Sequence, residues 1–311
     1  MHVVVTGAGG FIGRRVVQKM QEAGWRVTGV ARRPCAEADR IADLLQPIEN
    51  LPTPDTVIHL AGGYAGASAR EMAESDLAIA RNLLAWGKKQ GVRGWILASA
   101  AEVYGPIQGA ATEETLPKPV IPYGHAKLGV ERLFVQMAKN VPDSRVAILR
   151  IGEVYGSDGR LLDELAARLK SGFCPWPGSG RVPLSFVHVD DVASAFLCAA
   201  ERLPEGVSIY NVGDDEPTTW RSFVQQLAEC LDTRPPVFLP LPLAYAYMIG
   251  DRLRSRIAGQ PPVLTSHVLR LLTTPKVLSN ERTKQALEFT PRFPNFRKGL
   301  EATPNDLSHH A

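Results

Sequence analysis

The chain has 311 residues, 45% of them hydrophobic and 22% charged, with a formal net charge of +3. That composition excludes a disordered chain, and so small a net charge gives no footprint for nucleic acid. No apolar run approaches the ~20 residues of a membrane helix, and Met1 leads straight into a strand with no secretory leader, so a cytoplasmic chain without a membrane span is expected.

The valine run His2–Thr6 reads as a strand buried on both faces. Phe11–Ala23 has helical spacing, Arg26–Ala31 is a second strand and Thr56–Leu60 a third. Leu77–Gln90 is a helix ended by Gly91, Gly94–Ser99 a fourth strand, Tyr123–Asn140 a long helix and Arg145–Ile151 a further strand. Repeated strand–helix units predict an α/β fold: a doubly wound parallel sheet with helices on both faces. Leu184–Val189 and Ser208–Val212 read as later strands, with a helix over Asp191–Glu201 between them. After about Gly213 the pattern turns mainly helical and proline-rich. The expected division is a main domain of residues 1–156 plus 184–212, and a smaller, mainly helical lobe of residues 157–183 plus 213–311.

Cys35, Cys174, Cys198 and Cys230 lie far apart and form no metal-ligand spacing, so no metal is expected. They read as small hydrophobes in a reducing compartment. Residues 251–300 hold ten Lys/Arg against three acids. That excess is either a solvated surface or an attraction for an anionic substrate or an acidic membrane face.

The first strand runs into Thr6-Gly7-Ala8-Gly9-Gly10-Phe11-Ile12-Gly13 and then a helix. Glycines at 7, 10 and 13 fit a tight turn, a close approach to a pyrophosphate, and close packing of helix on strand. The helix N-terminus adds free N–H groups and a partial positive charge. A Rossmann-type dinucleotide site follows. An acid at the end of the second strand would bind the adenosine ribose of NAD, but this chain reads Val30-Ala31-Arg32-Arg33. Arg32, with Arg33 beside it, suits a 2′-phosphate, so NADP is the expected cofactor and NAD the alternative.

Tyr123 and Lys127 lie four apart at the start of a helix, hence on one face. A neighbouring ammonium favours the phenolate, so Tyr123 can exchange a proton with an alcohol or carbonyl while hydride moves at the nicotinamide.

With these motifs the chain resembles the extended short-chain dehydrogenases/reductases, the group of nucleotide-sugar epimerases and dehydratases. The likeness also runs through His59-Leu60-Ala61-Gly62, Asn82-Leu83-Leu84, Ser99 to Gly105, Arg150 to Gly156, Phe186 to Ala193 and Tyr210 to Gly213. It implies that Leu60, Ala61 and Gly62 pass the adenosine–pyrophosphate side of the cofactor, and that His188 and Asp190 are structural. It also implies a small-molecule substrate, and a second copy of the chain is a candidate partner.

The departures bear on substrate. The substrate-polarising hydroxyl of the family falls at Ala100, leaving Ser99, one step earlier, as the candidate. Glu153 stands where nucleotide-sugar epimerases carry Asn beside the substrate phosphates. Leu184 replaces a phosphate-gripping Arg, although Arg181 lies nearby, and Asp76 replaces a frequent Asn. Glu102 is a second candidate acid–base group. Three functions remain open: an epimerase or dehydratase acting on a sugar or sugar nucleotide; an NADP-dependent reductase of a less charged ketone, its pocket lined by the apolar Leu239–Ile249 segment; and a cofactor-binding sensor with little catalysis.

Overall fold

The computed structural model of the chain describes residues 1–62, 69–172, 174–259 and 264–303. In chain order the first half runs β1 (His2–Thr6), α1 (Phe11–Glu22), β2 (Arg26–Ala31), β3 (Arg40–Ile41), β4 (Thr56–His59), α2 (Ala69–Gln90), β5 (Gly94–Ala100), β6 (Ala110–Ala111), α3 (Pro122–Asn140) and β7 (Arg145–Ile151). It continues through β8 (Glu153–Tyr155), α4 (Arg160–Lys170), β9 (Pro175–Pro177), β10 (Pro183–Leu184), β11 (Phe186–His188), α5 (Val189–Glu201), β12 (Gly206–Val212), β13 (Thr218–Thr219), α6 (Trp220–Cys230) and β14 (Val237–Leu239). The chain then becomes helical, with α7 (Leu241–Ala258), α8 (Ser266–Thr273), β15 (Val277–Leu278), α9 (Glu281–Leu287) and α10 (Phe296–Ala302).

Among the described residues the main sheet has seven strands in the order β12-β7-β5-β4-β1-β2-β3, and every neighbouring pair is parallel. Parallel strands covered on both faces must be apolar throughout, as the buried Val3, Val4 and Val5 are. On one face Val16, Val17 and Met20 of α1 meet Phe196 and Ala199 of α5. On the other, Leu83 and Trp86 of α2 pack with Phe134 of α3 and Trp95 of β5. This is the Rossmann-type fold that the alternating pattern predicts. The order reverses between β1 and β4, which opens a crevice at the carboxyl ends of those strands.

The run at 184–189 behaves differently from a strand of the main sheet. The chain leaves that sheet at Gly152, whose N–H donates to the Val212 carbonyl, while the next N–H, of Glu153, donates to Ser185. β8 and β11 therefore pair with each other, Phe186 opposite Glu153. Their side chains enter a second core, where Tyr155 and Phe186 pack with Trp176, Trp220, Phe223 and Phe296. Phe186 stacks on Phe223 with ring centres 4.2 Å apart. Segments from both sides of the expected domain boundary share this aromatic core.

The Leu239–Ile249 segment lies otherwise than its composition suggests. Its apolar side chains do not turn into a pocket; Leu241, Leu243, Tyr245, Tyr247 and Ile249 are exposed on the outside of α7. Helical spacing in a sequence shows which residues share a face, but not whether that face meets protein or water.

Candidate active site

The glycine-rich loop is fixed by the end of β2. The N–H groups of Gly7 and Ala8 both donate to the Val30 carbonyl, at 2.9 and 3.1 Å. Gly7 has φ +75°, and a Cβ there would lie 2.8 Å from the amide nitrogen of Ala61. A Cβ on Gly13 would collide with the Gly7 carbonyl, so α1 presses directly on the turn. Gly10 caps α1 without a side-chain hydrogen bond and with no acid in the first turn. The result is a backbone cradle ending in unclaimed first-turn N–H groups, which fits a pyrophosphate. Phe11 lies against Gly159, and Ile12 packs on the core beneath α1.

The other predicted cofactor residues gather around this loop. Leu60 and Ala61 follow β4, and both their N–H groups reach the Thr6 hydroxyl at 3.3 Å. The same hydroxyl pairs with His59 at 2.9 Å. Burial, helped by the charge of Lys127, lowers the His59 pKa to about 3, so this imidazole is neutral and structural. Arg32 and Arg33 stand exposed just past Ala31, and Gly9 faces Ala31 and Cys35.

At the start of α3, the Lys127 ammonium lies 5.6 Å from the centre of the half-buried Tyr123 ring. The same ammonium is 3.5 Å from the carboxylate of Asp76 on α2, which is 2% exposed. Gly62 backs onto both, since a Cβ there would meet Lys127 Nζ at 3.1 Å and Asp76 Oδ1 at 3.3 Å. Gly62, Asp76, Tyr123 and Lys127 thus form one cluster. In the sequence Asp76 shows only as a departure from Asn; its partnership with Lys127 needs the packing of α2 on α3.

Ser99 does not join them. Its hydroxyl donates to Glu131 Oε1 at 2.5 Å in a buried network. Arg150 grips the same carboxylate through Nε at 3.0 Å and Nη2 at 2.7 Å. Ser99 therefore serves the seat of α3 and has no free hydroxyl for a substrate. The alternation of a strand turns it to the face opposite Ala100.

A group that the sequence conceals completes the site. Lys276, buried between α8 and β15, reaches Glu102 at 2.6 Å and Glu153 at 3.3 Å. Backbone geometry puts it there. Lys276 exchanges hydrogen bonds with Pro183 and Ser185 on one edge of the 183–188 segment, while Glu153 is paired on the other. Burial opposes the ammonium, but the two carboxylates more than offset it and raise the Lys276 pKa. Burial and the neighbouring Glu102 raise that of Glu153, against the pull of Lys276. A small cavity beside this trio is lined by Glu102, Ile121 and Val120 from one side and Arg270, Leu271 and Lys276 from the other. Leu184 is buried, and Arg270 donates to the Val120 carbonyl from an exposed position. Part of the basic excess of residues 251–300 is likewise paired: Arg254 with Asp251, Arg282 with Glu114, Lys284 with Asp215.

Comparison with known proteins agrees with this geometry. Residues 3–213 match the NAD dependent epimerase/dehydratase family. A 3-diazoavenalumate denitrifying reductase of Streptomyces is 28% identical, over 96% of this chain and 99% of its own length. A GDP-6-deoxy-D-mannose reductase of Pseudomonas aeruginosa is 31% identical over 85% of this chain and 87% of its own. The solved structure of MoeE5 in complex with UDP-glucuronic acid and NAD superposes with a TM-score of 0.79, at 25% identity, over 99% of this chain and 98% of that one.

The Asp76–Lys127 contact makes a prediction that needs no substrate. Asp76→Asn removes the counter-charge of the ammonium, so Tyr123 should ionise at lower pH. A phenolate absorbance titration, differenced against Tyr123→Phe, reads this directly. An unchanged midpoint would show the carboxylate to be electrostatically silent toward Tyr123.

Proposed function

The chain belongs to the NAD dependent epimerase/dehydratase family and is an NAD(P)-dependent enzyme of the extended short-chain dehydrogenase/reductase type; from that premise we propose that it is an NADP(H)-dependent reductase or dehydrogenase for an uncharged carbonyl–alcohol pair. The observation that carries the substrate class is the buried Glu102–Lys276–Glu153 trio. Its lysine is consumed by two carboxylates, Leu184 offers no donor, and the trio bears one formal negative charge, which disfavours a diphosphate at that point. Support also comes from the full-length likeness to a reductase whose name carries no nucleotide sugar.

In this reading Gly7, Gly10, Phe11, Ile12 and Gly13 hold the pyrophosphate turn, with Leu60, Ala61 and Gly62 along the opposite wall. Arg32 and Arg33 take the 2′-phosphate. When bound, the nicotinamide supplies or accepts the hydride. Tyr123 gives its phenolic proton to the carbonyl oxygen in reduction, or takes it from the alcohol in oxidation. Lys127 favours the phenolate and holds the nicotinamide ribose, and Asp76 orients Lys127. Residues 157–183 and 213–311 serve as the substrate lobe on a Rossmann domain of 1–156 plus 184–212. Four unpaired cysteines suit a reducing, cytoplasmic compartment, and a homodimer is the assembly we expect.

A second reading, an epimerase or dehydratase on a sugar nucleotide, is favoured by the guanidinium of Arg270 at the cavity and by the relatives that act on or bind such compounds.

Three measurements test the scheme. Each charge-assisted hydrogen bond contributes about 1.5–3 kcal/mol, so Arg32→Ala should weaken NADPH binding by about an order of magnitude or more and leave NADH nearly unchanged; equal losses would remove Arg32 from the 2′-phosphate. Tyr123→Phe should lower activity about 10²–10⁴-fold with cofactor binding intact; retained activity would move the proton to Glu102. Calorimetric titration of the NADP-loaded protein with UDP, dTDP and GDP at low salt should show no low-micromolar binding, and ketones should consume NADPH. Low-micromolar binding of any of the three would establish the sugar-nucleotide reading instead.

A further inference from the structure

Helix α7 is 18 residues long, yet through its first 16 residues it is buried only at Ala244, Met248 and Asp251, a single narrow stripe. Asp251 anchors that stripe by accepting the N–H of Leu264 at 3.0 Å, and Met248 packs with Leu264 and Leu269. The rest of the surface is unusually apolar. Leu243 is 57% exposed, Tyr245 51%, Ile249 66% and Leu253 60%, with Leu241 and Tyr247 beside them. Contiguous exposed apolar surface of this kind marks an interaction site.

The polar residues of the helix are equally one-sided. Its one acid, Asp251, is turned inward and paired with Arg254, while Arg252 and Arg256 are exposed in the last turns. Outward, α7 therefore presents leucine, isoleucine and tyrosine followed by arginine, with no exposed carboxylate.

We propose that α7 is an interfacial helix that seats the protein on an anionic lipid surface. Two features select this occupant. At 100° per residue the exposed apolar side chains span about 240° of the helix circumference, whereas a helix packed against another helix buries a stripe of roughly 100°. A headgroup layer wets the whole arc at once; a second copy of the chain would cover a minor part of it. The arginines supply charge complementarity to anionic headgroups, and tyrosine, with an apolar ring and a polar tip, suits the boundary between acyl chain and water. No described helix is long and apolar enough to cross a membrane, so α7 lies in the surface rather than through it.

Co-sedimentation with vesicles tests it. The full chain should bind vesicles of phosphatidylcholine containing about a third phosphatidylglycerol, and bind phosphatidylcholine alone at least about tenfold more weakly. Leu243→Asp with Ile249→Asp should abolish binding. Arg252→Glu with Arg256→Glu should weaken it by about an order of magnitude or more, since each basic residue near such a surface contributes about 1 kcal/mol. Both double variants should keep their thermal midpoint and NADPH affinity, because these side chains touch neither the core nor the cofactor loop. Failure to bind anionic vesicles overturns the proposal, as does binding indifferent to the aspartates. So does a wild-type dimer in sedimentation that Leu243→Asp with Ile249→Asp dissolves, which would give the face to a second copy.

Discussion

The site depends first on how α3 is seated, and one ion pair seats it. Arg150 of β7 holds Glu131 of α3 through two hydrogen bonds, with both side chains at most 5% exposed. Glu131 lies two turns beyond Tyr123, so this clamp fixes both the rotation and the advance of the helix that carries Tyr123 and Lys127. Ser99 adds a third hydrogen bond to the carboxylate. The guanidinium lies over the Tyr104 ring at 4.7 Å, and the Tyr104 hydroxyl donates to Asn211 on β12. Burial alone would favour loss of the Arg150 charge, but Glu131 outweighs it and keeps the guanidinium ionised. A buried pair adds little net stability over an apolar packing of the same volume, yet losing one partner costs about 3–5 kcal/mol. Its return is a defined position for Tyr123 and Lys127.

A second constraint joins the two cores. The 183–188 segment is held on one edge by Glu153 and on the other by Lys276, so the C-terminal half contributes a buried charge between two carboxylates of the N-terminal half. Where Glu153 in the bare sequence looks like an isolated carboxylate, in the structure it is neutralised in part by an ammonium shared with Glu102. The chemical character of the cavity, polar but without a spare buried cation beside Glu153, is a property of three residues acting together. The exposed apolar residues of α7 are not among those that line it.

Much of this was legible beforehand, for identifiable reasons. Val3 to Val5 announce a central parallel strand because only a doubly covered strand tolerates such a run. Gly7 and Gly13 announce the cradle because each stands where a Cβ would strike backbone. Tyr123 and Lys127 announce a shared face by spacing alone. The rest depended on tertiary contact. Whether Ser99 faces the substrate turns on which side of β5 meets α3, and one residue of register reverses it. Lys276 sits in a stretch, Thr-Thr-Pro-Lys-Val, with no local signature, 174 residues from Glu102. Asp76 meets Lys127 only because α2 packs on α3. The apolar character of Leu239–Ile249 was plain in the sequence, but composition could not say what the segment would touch.

The distance in sequence between Lys276 and its two carboxylates has a consequence for how the molecule comes together. The strands β1 to β5 and their helices can assemble from the first hundred residues, through near-neighbour contacts that form early and cheaply. β12 closes the sheet far later, and Lys276 arrives later still. Until it does, Glu102 and Glu153 lack the counter-ion that they share in the finished fold. During synthesis the nascent chain would thus hold its glycine-rich cradle beside an unfinished cavity, and the arrival of one ammonium group would couple the completion of the C-terminal half to that of the N-terminal one.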